Sequence, residues 1–485
     1  MEALALKALQ SLDFGSVDAE SEKDLNHKFL RTEDFNDFLK DKTTLVVGAK
    51  GSGKSAIFEL LTKYESTARD WSSGRLDDVF IVEGSGFRDA TEIDTDTIEE
   101  FRNRDGFGYS KLWKLYFSVK LARKLYASGV RSKGASSKFL KTIGDASDYR
   151  ILPILRNLWG SLVGRVPKVV KIPFLGEISI GYKWGEVSPS DVLYDLNDLL
   201  GKRQSQAWIV LDKIDEIFPM DAAARNEALS HLMQTCMECQ STYKNIKFRV
   251  FLRSDIWASL SFTNKTHLSD KTLNLRWDRD RLRSLLLKRA LVNDDVLEYC
   301  KNKLQDCKDF DVDTMRVETQ EAVFYTIFDS QIYKGANEAT SLGWMIERAT
   351  DSLGGVYPRE MIMYGNISSE RQVIPRHDCL IEGASIRDAY YEVSRLRCEN
   401  YLAEFPAFNG HFEAFSGKTT SQFSRDELVS MFKGLEPRFE AAVRELSTNV
   451  GLLRPLDGKS YATAERFQIP RLYVAGLGIV TRGRP

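Results

Sequence analysis

The 485-residue sequence predicts an α/β fold built on a parallel β-sheet. Short, wholly apolar runs such as Leu45–Val47 and Ala207–Leu211 are typical of strands buried on both faces, as in a parallel sheet. Amphipathic runs of helical length separate these strands, as the crossovers of a parallel sheet require. The first strand also leads directly into a glycine-rich turn and then a helix, over residues 45–61. Together these patterns predict strands and helices that alternate around one sheet.

The glycine-rich turn reads GAKGSGKS and matches G-x-x-x-x-G-K-[ST] at every fixed position. Its glycines let backbone N–H groups turn inward around a polyphosphate, and the following helix presents its positive N-terminus to the same anion. The sequence therefore predicts a phosphate-binding loop (P-loop) that binds ATP and Mg²⁺. Lys54 is expected to reach the β- and γ-phosphates, and the Ser55 hydroxyl is expected to bind Mg²⁺. The residues predicted to line the nucleotide are Gly48, Ala49, Lys50, Gly51, Ser52, Gly53, Lys54, Ser55 and Ala56.

Composition limits the other classes of function. The net charge of −1 excludes a general electrostatic attraction to nucleic acid or anionic membranes, so any such binding needs a local patch. No stretch approaches the roughly 18 consecutive apolar residues that a membrane span needs. The N-terminus lacks a secretory signal pattern, and six cysteines in a chain of this length favour a reducing cytoplasm.

Residues 1–40 are predicted to form an N-terminal helical cap that precedes the first strand. Their apolar residues recur every three to five positions, as on helices packed against a core. In many proteins with a P-loop, the segment upstream of the first strand folds back over the adenine. Phe14 and Gly15 are candidates for that contact, although simple packing of an N-terminal helix explains them equally well.

Residues 130–190 differ from the rest of the chain and are interpreted as an insertion. They contain ten lysines and arginines against four acids, with interleaved aromatic residues. The piece Lys168–Trp184 alternates as a hairpin does, with Gly176 near the turn. A basic, aromatic surface can bind nucleic acid, dock a partner protein or form a solvated appendage, and the sequence leaves all three open.

A second group of candidate site residues follows the strand Ala207–Leu211. Asp212 ends this strand, which we expect beside the P-loop strand, where a carboxylate can support Mg²⁺. Asp215 and Glu216 come next and could orient or polarise the attacking water. The sequence predicts that one of these two carboxylates is the catalytic base.

Two arginines are candidates for contact with phosphate. Arg253 ends the predicted strand Phe248–Leu252 and could stabilise transition-state charge, or it could pair locally with Asp255. Arg359 follows Pro358 at a predicted helix start and could report phosphate occupancy, or it could form a surface ion pair. The arginines of the next core helix are weaker candidates for an inter-subunit arginine finger, and most are expected to be solvated: Arg279, Arg281, Arg283 and Arg289.

The remaining sequence predicts a helical lid over residues 291–415 and a small domain over 416–485. In the small domain, Ser424 and Glu427 form a capping-box pattern, and a second helix is expected over 437–449. A turn at Asp457–Gly458 and a strand-like run Phe467–Leu477 complete a helix–helix–hairpin order, which is typical of a winged helix. The second helix mixes arginines with glutamates and so has no clearly basic face. This favours contact with a protein or a role as part of the lid over DNA binding.

Together these landmarks resemble the STAND branch of the AAA-like ATPases and its origin-recognition-like relatives. The resemblance implies a P-loop NTPase core over 41–290, with the N-terminal cap, basic insertion, helical lid and C-terminal winged helix around it. It favours Glu216 over Asp215 as the base and implies sensor-like roles for Arg253 and Arg359. FGSVDAESE and VVGAKGSGKSAI also look like bacterial P-loop ATPases, several of which sit in antiviral defence loci.

The resemblance implies an ATP-dependent regulatory switch that forms a homo-oligomer or engages a separate effector protein. The chain departs from the STAND pattern because it carries no recognisable effector domain and no repeat array. The alternative is a DNA-binding ATPase of the loader type, which would use the winged helix and the basic insertion.

Overall fold

The computed structural model describes residues 2–86, 109–143, 170–172, 176–178, 188–217, 222–375 and 378–480. Its helices are α1 (Glu2–Ser11), α2 (Leu25–Lys28), α3 (Glu33–Phe38), α4 (Lys54–Thr62), α5 (Glu65–Trp71), α6 (Tyr109–Ala127), α7 (Ala135–Ile143), α8 (Pro189–Lys202), α9 (Ala222–Thr242), α10 (Ser254–Ser259), α11 (Arg279–Ala290), α12 (Asp294–Lys303), α13 (Val317–Ile327), α14 (Ser341–Ala349), α15 (Pro358–Arg371), α16 (Gly383–Glu404), α17 (Asn409–Glu413), α18 (Arg425–Met431), α19 (Phe439–Thr448) and α20 (Arg471–Val474). Its strands are β1 (Leu45–Gly48), β2 (Val79–Ser85), β3 (Val170–Ile172), β4 (Gly176–Ile178), β5 (Gln206–Asp212), β6 (Ile246–Arg253), β7 (Thr272–Asn274), β8 (Gln422–Ser424), β9 (Arg454–Pro455) and β10 (Arg466–Gln468).

The chain divides into two compact units. The helical unit consists of Met1–Thr32, Ala49–Ala56 and Arg276–Pro485, and the sheet unit consists of Glu33–Gly48 and Ile57–Leu275. The finer division predicted from sequence, with boundaries at residues 40, 290 and 415, stays a prediction.

The sheet unit is built on five parallel strands in the order β2-β5-β6-β1-β7. The predicted α/β class with a parallel sheet is therefore confirmed. The expectation that Asp212 ends a strand beside the P-loop strand is wrong, because β6 lies between β5 and β1. Neighbours along a parallel sheet are set by the crossover connections, which the sequence of one strand does not encode.

Both faces of this sheet are covered, which explains why its strands are apolar throughout. Helices α6, α8 and α9 supply one layer, in which Phe117 contacts Phe248 with ring centroids 4.7 Å apart. On β6, Phe251 packs against Phe38 of α3 and Phe58 of α4, with centroid distances of 5.8 and 6.5 Å. The sheet is thereby buried on both sides, and its carboxyl edge is where β1, β5 and β6 end.

The predicted insertion is described only in part. The strands β3 and β4 pair antiparallel, with Ile172 opposite Gly176, so the expected hairpin is confirmed. Gly176 begins the second strand, next to the connection between the two strands, as expected. Five of the ten basic residues of 130–190 lie outside the described residues.

The helical unit has a core of its own, formed by α1 and by α11 to α16. Because successive helices of residues 294–404 carry this core, the helical pattern predicted for the lid is confirmed over that range. Asp278 and Asn293 cap α11 and α12 by accepting backbone N–H groups, which fixes where those helices begin.

The last part of the helical unit has winged-helix order. Strand β8 is followed by α18 and α19 and then by β9 and β10, and these strands form an antiparallel sheet in the order β8-β10-β9. Ser424 and Glu427 form the predicted capping box at the start of α18. The run predicted as one strand over Phe467–Leu477 is instead the short β10 followed by helix α20. Pro470 separates the two, because its fixed φ and missing N–H end the strand and suit a helix start.

Candidate nucleotide-binding site

The glycine loop follows β1 directly, since Gly48 is the last residue of that strand and α4 begins at Lys54. Gly51 and Gly53 have φ angles of +83° and +93°, a backbone region that side chains disfavour, so geometry favours glycine both at the fixed motif position 53 and at the variable position 51. Ser52 between them is 1% exposed, and Lys54 Nζ donates a hydrogen bond to Ala49 O at 2.9 Å. The chain therefore forms the turn that the motif predicts, with its lysine folded over the loop.

Arg359 lies against this loop. It stands in the first turn of α15, after Pro358 at the helix start, and a Cβ atom on Gly51 would lie 2.9 Å from the Cβ of Arg359. Its Nη2 pairs with Asp18 Oδ1 at 3.1 Å, and its Nε is buried without a hydrogen-bond partner among the described residues. The arginine singled out by the P-R pair thus contacts the loop and retains donor capacity.

The next residue of α15 is fixed by a buried ion pair. Glu360 is 1% exposed and lies 2.8 Å from Arg397 of α16. Burial lowers the pKa of Arg397, but the charge of Glu360, supported by Tyr401 and Tyr473, outweighs burial and leaves the pKa raised. Arg397 also donates to the Tyr401 hydroxyl at 2.9 Å. This ion pair therefore attaches α15 to α16 at Glu360, the residue next to Arg359.

Phe14 is fully buried, and Asn366 of α15 holds its backbone. The Asn366 side chain accepts from Phe14 N and donates to Gly15 O, both at 2.9 Å. The Phe14 ring lies 5.7 Å from that of Phe328 and fills the space beside Gly365, where a Cβ would come within 2.7 Å of it. A contact of Phe14 with adenine stays a prediction. In this structure the Phe14 ring packs against Phe328 and beside Gly365.

A compact ionic cluster secures the same N-terminal segment. Glu22 is 4% exposed, accepts from Ser16 N at 2.7 Å and pairs with Lys28 and Arg289 at 3.1 and 3.2 Å. Arg289 also donates to Phe14 O at 2.6 Å. Burial lowers the pKa of Arg289, and the charges of Glu22 and Asp13 oppose that shift.

The α11 arginines are less solvated than the sequence suggested. Arg289 is 6% exposed, and Arg283 is 1% exposed and pairs with Asp280 and Glu321. Local patterns did not indicate this burial, because the partners of these side chains, in the N-terminal segment and in α13, are distant along the chain. Arg279 donates to Thr340 Oγ1.

The candidate carboxylates lie in the sheet unit, at the carboxyl edge of its sheet. Asp212 ends β5 opposite Ser85 of β2 and is 3% exposed. The next residue, Lys213, has a φ of +55°, which is rare for a residue with a side chain and bends the chain sharply after the strand. Asp215 and Glu216 follow on a short 3₁₀ helix, Ile214–Ile217, where Glu216 is exposed. This arrangement separates one buried carboxylate from an accessible one.

Arg253 lies at the same edge, and its register is opposite Gly48. Its guanidinium makes a two-pronged ion pair with Asp255, with Nε–Oδ1 and Nη2–Oδ2 distances of 3.1 and 2.9 Å. The local pair that the sequence left open is thus formed, and a role for Arg253 toward phosphate stays a prediction.

Three residues that contact the loop, its arginine Arg359 or the N-terminal segment were not singled out from the sequence: Trp277, Asp18 and Asn366. Each acts through a partner more than 200 positions away, so local patterns did not identify them. Trp277 follows β7 and donates its indole N–H to Ser52 O at 2.9 Å. Trp277 comes shortly after β7, the edge strand of the sheet, and this position is the weak sequence signal that could have identified it.

The described residues hold no cluster of three His, Cys, Asp or Glu side chains that could bind a metal ion. None of the described helices is long and apolar enough to cross a membrane.

No family model matches the chain. One curated relative is the putative transposon gamma-delta 80.3 kDa protein of Escherichia coli (strain K12), which is 25% identical over 303 residues. That alignment covers 58% of this chain and 40% of the relative, so the chain spans less than half of the relative's length.

Among solved structures, the chain is similar to the Walker-type ATPase PABY2304 of Pyrococcus abyssi, with 12% identity, coverage of 92% and 94% of the two chains and a TM-score of 0.39. The Aeropyrum pernix ORC1 protein in complex with DNA is 12% identical, with coverage of 92% and 91% and a TM-score of 0.35. Drosophila ORC bound to DNA is 10% identical, with coverage of 97% and 91% and a TM-score of 0.31. At these values the likeness assigns no activity to the chain.

Proposed function

We propose that this chain binds and hydrolyses ATP with Mg²⁺ and works as a nucleotide-dependent switch. The observation that carries the proposal is the contact of Arg359 with Gly51, in a loop whose sequence matches the P-loop motif at every fixed position. A phosphate on the loop would meet a cation that already lies beside it, and the strength of that contact would differ between ATP and ADP. A difference in contacts between two nucleotide states is what a ligand needs to shift a conformational equilibrium.

The other site residues have defined roles in this proposal. Lys54 binds the β- and γ-phosphates, and the Ser55 hydroxyl and Asp212 support Mg²⁺. Asp212 suits that role because it is a buried carboxylate at a strand end, whereas the exposed Glu216 is suited to receive a proton from water. Asp215 is the alternative base, and Arg253 would steady charge in the transition state after exchanging Asp255 for phosphate.

The experiment is ATP binding and turnover by the purified full chain, with and without Mg²⁺. Lys54→Ala should abolish binding, while Lys63→Ala is the control because it removes an exposed lysine directly after α4, outside the loop. Glu216→Gln should retain bound ATP and lose turnover. Binding by Lys54→Ala equal to wild type would contradict the proposal, and normal turnover in Glu216→Gln would move the base to Asp215.

The switch is further proposed to change assembly, either of the chain with itself or with a separate effector. Its setting in bacterial antiviral defence rests on the resemblance of residues 14–22 and 46–57 alone. The mass of the wild-type chain should rise on addition of ATP–Mg²⁺ and stay constant in Lys54→Ala. An unchanged wild-type mass, without and with candidate partners, would contradict an assembly role.

A DNA-binding ATPase is the second candidate, and the winged-helix order of β8 to β10 favours it. The charges of α19 oppose it, because Glu440 pairs bidentately with Arg425 and Glu445 lies beside Arg444. DNA-stimulated turnover that falls steeply with salt would support this candidate, since phosphate contacts release counterions. ATP turnover that does not respond to DNA would contradict the DNA-binding candidate and retain the assembly switch.

A further inference from the structure

The P-loop is held from outside by a hydrogen bond that the motif does not require. Trp277 donates its indole N–H to Ser52 O at 2.9 Å, and its ring lies 3.8 Å from where a Cβ on Gly53 would be. Both residues belong to the helical unit, and the Trp277 ring packs against that unit's apolar core. The donor is therefore anchored, while its acceptor belongs to a glycine-rich loop.

This bond fixes the direction of the peptide between Ser52 and Gly53. In a planar trans peptide the C=O and the following N–H point in opposite directions. A Ser52 carbonyl turned toward Trp277 consequently turns the Gly53 N–H away from it. With glycines at 51 and 53, both at positive φ, this peptide could rotate at low cost unless something held it.

We propose that Trp277 is a positioning residue for phosphate binding, which orients the Gly53 N–H toward the β-phosphate by holding the Ser52 carbonyl. The inference rests on the proposed function and deepens it. Without the bond, the Ser52–Gly53 peptide samples several orientations, only one of which is competent to bind phosphate. The apparent affinity for phosphate ligands then falls in proportion to the population of that orientation. The loss concerns a group that binds the β-phosphate, so it applies equally to ATP, ADP and inorganic pyrophosphate.

The test compares Trp277→Phe with Trp113→Phe in the full chain. Trp113 is the matched control, because its indole N–H donates to Ala228 O at the same 2.9 Å but lies in the sheet unit, outside the loop. Trp277→Phe should bind all three ligands about 3- to 10-fold more weakly, the range expected for one neutral hydrogen bond. Trp113→Phe should bind them as the wild type does.

Two further readouts separate positioning from structural support. Ligand binding should change tryptophan fluorescence in the wild type and in Trp113→Phe, and this change should be lost or strongly reduced in Trp277→Phe. Trp277→His keeps a ring N–H donor and should lose less affinity than Trp277→Phe. Folding of each variant is verified by urea unfolding, so the affinities are compared between folded chains.

The outcomes are distinct. Unchanged affinity in Trp277→Phe, or equal losses in the Phe and His variants, would overturn the inference while the wild type still binds ATP. A wild-type chain that binds none of the three ligands would overturn the proposed function itself.

Discussion

Two arginines, one in each unit, are candidates for contact with phosphate, and their surroundings differ. Arg253 is held through two nitrogens by Asp255, two residues away on the next helix. Arg359 makes one ion pair, with Asp18, whose side chain is 61% exposed. An exposed, single-pronged pair is worth about 0–1 kcal/mol, whereas a two-pronged pair is stronger and more rigid. Arg359 can therefore exchange its partner for a ligand at a lower cost than Arg253, which must first give up both contacts with Asp255.

The largest expected effect is at the contact between Arg359 and the loop. Gly51→Ala would place a Cβ 2.9 Å from that of Arg359 at a φ of +83°, so the loop must distort, and we expect ATP affinity to fall by about 100-fold or more. Gly354→Ala is the control, since it has a φ of +78° with no atom within 4 Å of the added Cβ. If Gly51→Ala and Gly354→Ala have equal ATP affinity, backbone strain alone would explain the loss, and the contact with Arg359 would not contribute.

The next effect comes from the arginine itself. Arg359→Ala should weaken ATP by about 10-fold or more, the usual worth of a hydrogen bond to a charged group, and should weaken ADP less. Titration of both nucleotides against the variant measures the ratio. A uniform loss for ATP and ADP would mean that Arg359 does not distinguish the terminal phosphate.

Arg253→Ala should change turnover rather than binding. We expect an approximately 10-fold lower kcat with ATP affinity within about 3-fold of wild type, because the expected contact forms as charge develops. Asp255→Ala, which releases the arginine, is the paired variant and should retain turnover. Normal turnover in Arg253→Ala would remove this residue from the site and leave its ion pair as a structural feature.

The smallest effect should have the opposite sign. Asp18→Asn removes the carboxylate that occupies Arg359, so ATP affinity should rise by up to about 5-fold, the limit set by an exposed ion pair. The gain should shrink at high salt, where such pairs are already screened. A loss of affinity would show that Asp18 positions Arg359 rather than competing for it.

The sequence predicted those parts of the site that local patterns determine. The loop, the strand that ends at Asp212 and the helix that starts at Pro358 are each encoded by a few neighbouring residues. Sheet order was mispredicted because it depends on crossovers rather than on strand sequence. The pairs Arg359–Asp18 and Trp277–Ser52 were missed because their members are 341 and 225 positions apart.

The same distinction explains the arginines of α11. Their charged sequence is typical of a solvated helix face, yet Arg289 is buried because Glu22, Phe14 and Ser16 of the N-terminal segment supply its acceptors. Burial of a cation is tolerated where acceptors are present. Such acceptors become visible only once the chain has folded.

The ion pair between Glu360 and Arg397 also determines where this protein can be re-engineered. Removing one member of a buried pair costs about 3–5 kcal/mol, a large part of the stability of an ordinary domain. A mutant library aimed at a different nucleotide response should therefore leave position 360 unchanged. Position 18 is the better target, because its side chain is exposed and pairs with the arginine to be tuned. The two positions thus differ sharply in mutational tolerance: position 360 lies on α15 in a buried ion pair, and the more tolerant position 18 lies on the N-terminal segment.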